Sequence, residues 1–170
     1  MAFLIWLEST AISVWIRESP SLWAFPFILY LHTLGLALLA GISTAFAIWV
    51  IRFAKTYPIA PMRQYFAYMW LGLAINTVSG LLLLAAYPAK ALTNPVFYVK
   101  LVAIFAALAI LGQLERRLFV DSNPQQALTP SVTNKRLALA MIALWLVATG
   151  TGRFLAYTHR ILMASEPGFY

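Results

Sequence analysis

Four stretches of this chain, about residues 22–51, 65–86, 96–114 and 137–157, each carry at most one charged or imidazole side chain. Each approaches the ~20 apolar residues that a helix needs to cross a ~30 Å hydrocarbon layer. A chain built this way has few folds open to it. The expectation is an all-α integral membrane four-helix bundle, a single membrane domain over residues 1–170. Composition points the same way: 62% of the 170 residues are hydrophobic and 10% charged, against about 25% charged in soluble domains. Too few polar groups exist to cover a water-facing surface, so lipid is the natural solvent and the bilayer the first partner.

The same composition excludes several functions. There is no cysteine, which removes disulfides, iron–sulfur clusters and thiolate metal sites. No nucleophile–base pairing, metalloprotease pattern or Walker pattern occurs, so hydrolytic chemistry has no support. The net charge of +7 does not imply nucleic acid as a partner, because the basic residues gather at the ends of apolar runs rather than along a stripe.

Ahead of the first run, "MAFLIWLESTAISVWIRES" lacks the basic n-region of a cleaved signal and carries Glu8 inside its apolar part. Leu4, Leu7, Ala11, Val14 and Trp15 recur at helical spacing. Residues 3–18 therefore read as an interfacial amphipathic helix, or equally as a helix packed across one end of the bundle. Asn94-Pro95 has the form of an N-cap and first helical residue for the third crossing. Asn134 is the expected cap of the fourth.

Orientation follows from the basic residues. Arg52, Lys55 and Arg63 flank the first connection, and Arg116, Arg117, Lys135 and Arg136 flank the third, whereas the second carries Lys90 alone. The positive-inside rule places the first and third connections in the cytoplasm and both termini outside it.

That topology gives heights to the ionisable residues. His32 lies twenty residues above Arg52, or ~30 Å along a helix, and His159 lies twenty-three above Arg136, or ~34 Å. Both fall in the outer part of the membrane. Lys100 and Arg153 enter the same half, without acidic partners in the spans. A polar layer of His32, Lys100, Arg153 and His159 is expected there, with Tyr30, Tyr98 and Tyr157 nearby. Unmatched cations in such a layer imply a bound anionic group or side chains that snorkel to water.

The sharpest reading of the layer is a b-type haem. Imidazole is a common axial ligand and helix bundles hold cofactors between helices. His32 would be the metal ligand and His159 its partner. Lys100 and Arg153 would meet the propionates, and Gly35 and Gly152 would make room for the macrocycle. Helices in contact lie about 8–10 Å apart, so a bis-histidine site requires the first and fourth helices to splay. Asn76, Thr77 and Ser79 of the second span would hydrogen-bond across helices or line a site. "GTGR" at 150–153 reads as small-residue packing rather than a phosphate loop.

"LHTLGLALLAG" in the first span, "SGLLLLAAYPAKALTNPVFYVKL" through the second and third, and "GRFLAY" in the fourth resemble an uncharacterised family of small four-helix bacterial inner-membrane proteins. "TNPVFYVKL" resembles, more distantly, the third-helix pattern of copper-resistance D-type membrane domains. A histidine in helix one with a lysine early in helix three is similar to the haem-dependent protoporphyrinogen oxidase membrane protein. These resemblances imply the bacterial inner (plasma) membrane and a haem role for His32, with Lys100 as a functional cation. The functions in view are a haem-b electron-transfer or porphyrin-related protein, working with a redox partner; an accessory or anchoring subunit of a membrane complex; and a copper or small-solute transport component.

Overall fold

The computed structural model describes residues 6–54, 60–120 and 130–164, with side chains described up to residue 155 apart from Ala60. Within these residues the protein is all-α, and four helices are long and apolar enough to cross a membrane. Helix α1 is Ala11–Glu18. The first crossing, α2, is Phe25–Phe53. A 3-10 turn, Ala60–Gln64, leads into α3, Tyr65–Ala86. The short α4, Pro88–Leu92, precedes α5, Pro95–Glu115, which continues as a π turn over Arg116–Val120. The last helix, α6, is Val132–Ala164.

Local chemistry sets the helix ends. Asn94 caps α5, its side chain accepting from the Val96 N–H at 2.9 Å, with Pro95 as first helical residue. Such a cap satisfies one of the orphan donors of a helix start. At α6 the cap is Ser131, whose Oγ accepts from the Asn134 N–H at 3.2 Å; Asn134, the expected cap, lies inside the first turn and is buried. Pro26 falls in the first turn of α2, where its missing N–H costs nothing. The continuous amphipathic helix expected over 3–18 is interrupted: Thr10 caps a new helix that begins at Ala11, and residues 1–5 lie outside the described residues.

The spans are apolar on every side, so residue size decides which face is buried. Close approach in a membrane favours small residues. Ala103, Ala107, Leu111 and Leu114 of α5 face inward, and so do Ala138, Met141, Trp145 and Ala148 of α6. Val102, Phe105, Leu139 and Leu146 are exposed and supply the lipid-facing surface. Packing runs in the order α3–α2–α6–α5. Phe25–Gly41 of α2 lies on α3, Ile42–Phe53 on α6, and α6 on α5. Phe46, Phe66 and Phe119 meet with ring centroids 5.3–6.2 Å apart and tie α2, α3 and the π turn after α5 together.

The molecule has two unlike ends. Arg52, Arg63, Arg116, Arg117, Lys135 and Arg136 gather at the basic end. At the opposite end α1 packs on α3: Ser13 donates to the Ala85 carbonyl at 2.8 Å, and Ile16 is buried against Ile28 and Ala86. The outer face of α1 leaves Ile12 and Trp15 exposed beside Leu22 and Trp23, as an interfacial helix would. Of the two expectations for this segment, the helix packed across the bundle's end is the one these contacts describe.

Candidate functional site

His32 sits on α2 seven residues after Phe25, ~10 Å from the helix start. It faces α3, where Gly72, Asn76, Ser79 and Gly80 recur at three- and four-residue spacing and so share a face. The two helices are held together by reciprocal hydrogen bonds. Asn76 Nδ2 donates to the His32 carbonyl at 2.8 Å. His32 Nδ1 lies 3.1 Å from the Asn76 carbonyl and 3.2 Å from Ser79 Oγ.

These partners fix the state of the imidazole. The Asn76 carbonyl can only accept. Ser79 Oγ uses its own proton on the Ile75 carbonyl at 2.6 Å, so toward His32 it accepts as well. Nδ1 must therefore carry the proton in the neutral ring, and Nε2 is left with a lone pair. Nε2 has no protein partner among the described residues.

Glycines bring the backbones close enough for this. A Cβ added at Gly35 would stand 2.6 Å from the Asn76 backbone N and 2.8 Å from the Gly72 carbonyl oxygen; one at Gly72 would stand 2.9 Å from the Gly35 carbonyl oxygen. Gly35 is thus the crossing point of α2 and α3, and its open side is filled by α3 backbone rather than free for a macrocycle. A Cβ at Gly80 would lie 3.1 Å from His32 Cε1, so Gly80 gives the ring its seat.

Lys100, on the first turns of α5, is half-buried and makes no ion pair or hydrogen bond among the described residues. Its stem lies over Gly152 of α6, where a Cβ would come within 3.8 Å of Nζ. Gly152 therefore provides room for a lysine stem. Arg153 is exposed on α6. Thr77 is exposed too, its neighbours Asn76 and Ser79 being the residues turned to His32. The side chains of Tyr157 and His159 lie outside the described residues. The first part of α2 packs on α3 and has no comparable packing on α6, so His32 is not pressed against the fourth crossing.

The donor set limits what metal chemistry is open to the site. No cluster of three or more His, Cys, Asp or Glu that could hold a bare ion occurs among the described residues. A lone imidazole holds a metal firmly when the metal brings its own ligands. A haem, which supplies four ring nitrogens and asks the protein for an axial base, meets that condition. A ligand histidine whose second nitrogen donates to a backbone carbonyl is the usual arrangement around bound metals. On donor chemistry His32 would supply one ligand to such a group.

Sequence inspection singles out His32, Asn76, Ser79 and Lys100, but passes over Gly72 and Gly80. The signal for them is the small-polar-small stripe at 72, 76, 79 and 80 on an otherwise aliphatic helix. No protein-family model, no curated protein and no solved structure matches this chain, so the chemistry of the site rests on its own residues.

Proposed function

We propose that this multi-pass membrane protein binds haem b through His32 Nε2 and serves electron transfer or porphyrin chemistry in the bacterial inner membrane. The basic end faces the cytoplasm and the His32 end faces out. The observation that carries this reading is the pinning of Nδ1 between two acceptors, which leaves Nε2 as a base presented on a neutral ring. Bound haem would supply a one-electron iron couple. The chain's own part is to hold the imidazole tautomer with Asn76 and Ser79, to seat the ring on Gly80, and to offer Lys100 to a propionate. The similarity of His32 plus Lys100 to the haem-dependent oxidase pattern supports the same reading. The absence of a multi-ligand cluster among the described residues favours haem over a copper site.

An absorption spectrum of detergent-purified protein, expressed with haem precursor supplied, tests the proposal. A Soret band is expected in the parent protein and lost in His32→Ala. Ser79→Ala should weaken haem retention about tenfold, the low end for a second-sphere partner, because the Asn76 carbonyl still holds Nδ1. A parent protein with no Soret band and no reduced-minus-oxidised difference ends the haem reading.

A further inference from the structure

The last turn of α2 and the start of α6 enclose a notch of about 30 Å³ at the basic end. Val50, Ile51, Arg52 and Ala54 line it from the α2 side, and Pro130 and Lys135 from the α6 side. Val50, Ala54 and Pro130 are buried, Lys135 is half-buried and Arg52 is exposed. Two cations from different helices thus converge on one recess with apolar walls. Neither makes an ion pair among the described residues, and no carboxylate lines the notch among them.

Like charges that share a recess of low dielectric repel. Basic residues that only orient a chain have no need to share one. Arg63, Arg116, Arg117 and Arg136 of the same end all stand exposed, which the positive-inside pattern accommodates. Lys135 differs, being drawn in to line the same notch as Arg52. An anion seated between the two offsets their repulsion. The start of α6, marked here by Pro130, adds the positive end of a helix dipole.

Size and height select the anion. About 30 Å³ is the share of one water in the liquid, so the notch takes an oxygen or two of a ligand and leaves its substituents outside. Helix α2 has 29 residues, ~44 Å of rise, which matches the ~40–45 Å of a bilayer with its headgroups. Arg52, next to the last residue of that helix, lies at the level of lipid phosphates. A guanidinium fork with an ammonium beside it suits a phosphate group.

We propose that Arg52 and Lys135 form a binding site for a phosphate group, supplied at this height by the headgroup of an anionic phospholipid. Arg52 is twenty residues from His32, ~30 Å along α2, so the site does not depend on what His32 binds.

Native mass spectrometry of the full chain, extracted from vesicles of equal phosphatidylglycerol and phosphatidylcholine, tests this. The parent protein should retain phosphatidylglycerol in preference to phosphatidylcholine through detergent washing. Arg52→Gln and Lys135→Gln should each cut that retention about tenfold, as expected for loss of a charge-assisted contact. Lys135→Arg should keep it. Arg136→Gln removes the same charge one residue along, outside the notch, and should leave retention unchanged. If Lys135→Gln does not fold, Arg52→Gln, at an exposed position, carries the comparison. A second arm adds inorganic phosphate to the delipidated protein in detergent. A rise in melting temperature that Arg52→Gln and Lys135→Gln abolish supports the site with free phosphate as its ligand. Equal losses in Arg136→Gln and the notch variants, or a parent protein with neither a preference for phosphatidylglycerol nor a response to phosphate, overturn the proposal.

Discussion

Buried polar atoms in this protein fall into two kinds. Those around His32 are matched: each donor has an acceptor at 2.6–3.2 Å across or along α2 and α3. Those in the main core are not all matched, because the indole N–H groups of Trp49 and Trp145 are buried without partners among the described residues. Replacing such a donor by an apolar group of similar shape removes an unmet desolvation cost, whereas truncation leaves a cavity. Trp145→Phe should therefore be neutral or stabilising in a denaturant titration, and Trp145→Ala should lose about 3–5 kcal/mol. The His32 joint behaves in the opposite sense. Asn76→Leu strands the His32 carbonyl and should cost about 1–2 kcal/mol, the usual range for an interhelical hydrogen bond in a membrane protein. A neutral result for Asn76→Leu in the same titration contradicts the joint.

Elements join through glycine where backbones nearly touch and through alanine where they pack less closely. At Gly72 even one carbon is too much, since it would meet Leu38 Cβ, the Gly35 carbonyl oxygen and the Leu39 N within 3 Å. Gly72→Ala is expected to force α2 and α3 apart at a cost of about 1–3 kcal/mol, with the His32–Asn76 bonds lost as a consequence. Gly112→Ala, in open space, should change stability by less than about 0.5 kcal/mol. Comparing the two by thermal unfolding separates a crossing point from an incidental glycine. The elements were legible in the sequence for a simple reason. Hydropathy marks a crossing whatever its neighbours, and Asn94-Pro95 marks a start by its own chemistry. Who packs on whom was not legible. A helix such as α5, apolar on all faces, has no polar side to orient it, so its burial pattern follows from partners that the sequence does not name. The same gap explains why Ser131 rather than Asn134 caps α6: both are competent caps, and the sequence does not name the neighbours that bury Asn134. At the site, His32 and Lys100 stand out because ionisable residues are rare in spans. Gly72 and Gly80 do not, because glycine is common there.

For the whole molecule, the distribution of charge sets a direction across the membrane. The expected direction has the basic end in the cytoplasm. Since the chain has no cysteine, single-cysteine variants report it without background. Thr93→Cys, exposed beyond α4, should react with an impermeant maleimide on intact cells, and Ser131→Cys, exposed at the start of α6, should react only after permeabilisation. The reverse pattern inverts the protein and moves His32 to the cytoplasmic half. One consequence of the packing order concerns synthesis. Helices α2 and α3 are sequence neighbours, and every atom of the His32–Asn76–Ser79 joint belongs to them. A nascent chain that has delivered its first hairpin to the bilayer already holds the whole imidazole seat, before the ribosome has made the helix that carries Lys100. The imidazole joint is an early product of synthesis, and Lys100 is added afterwards.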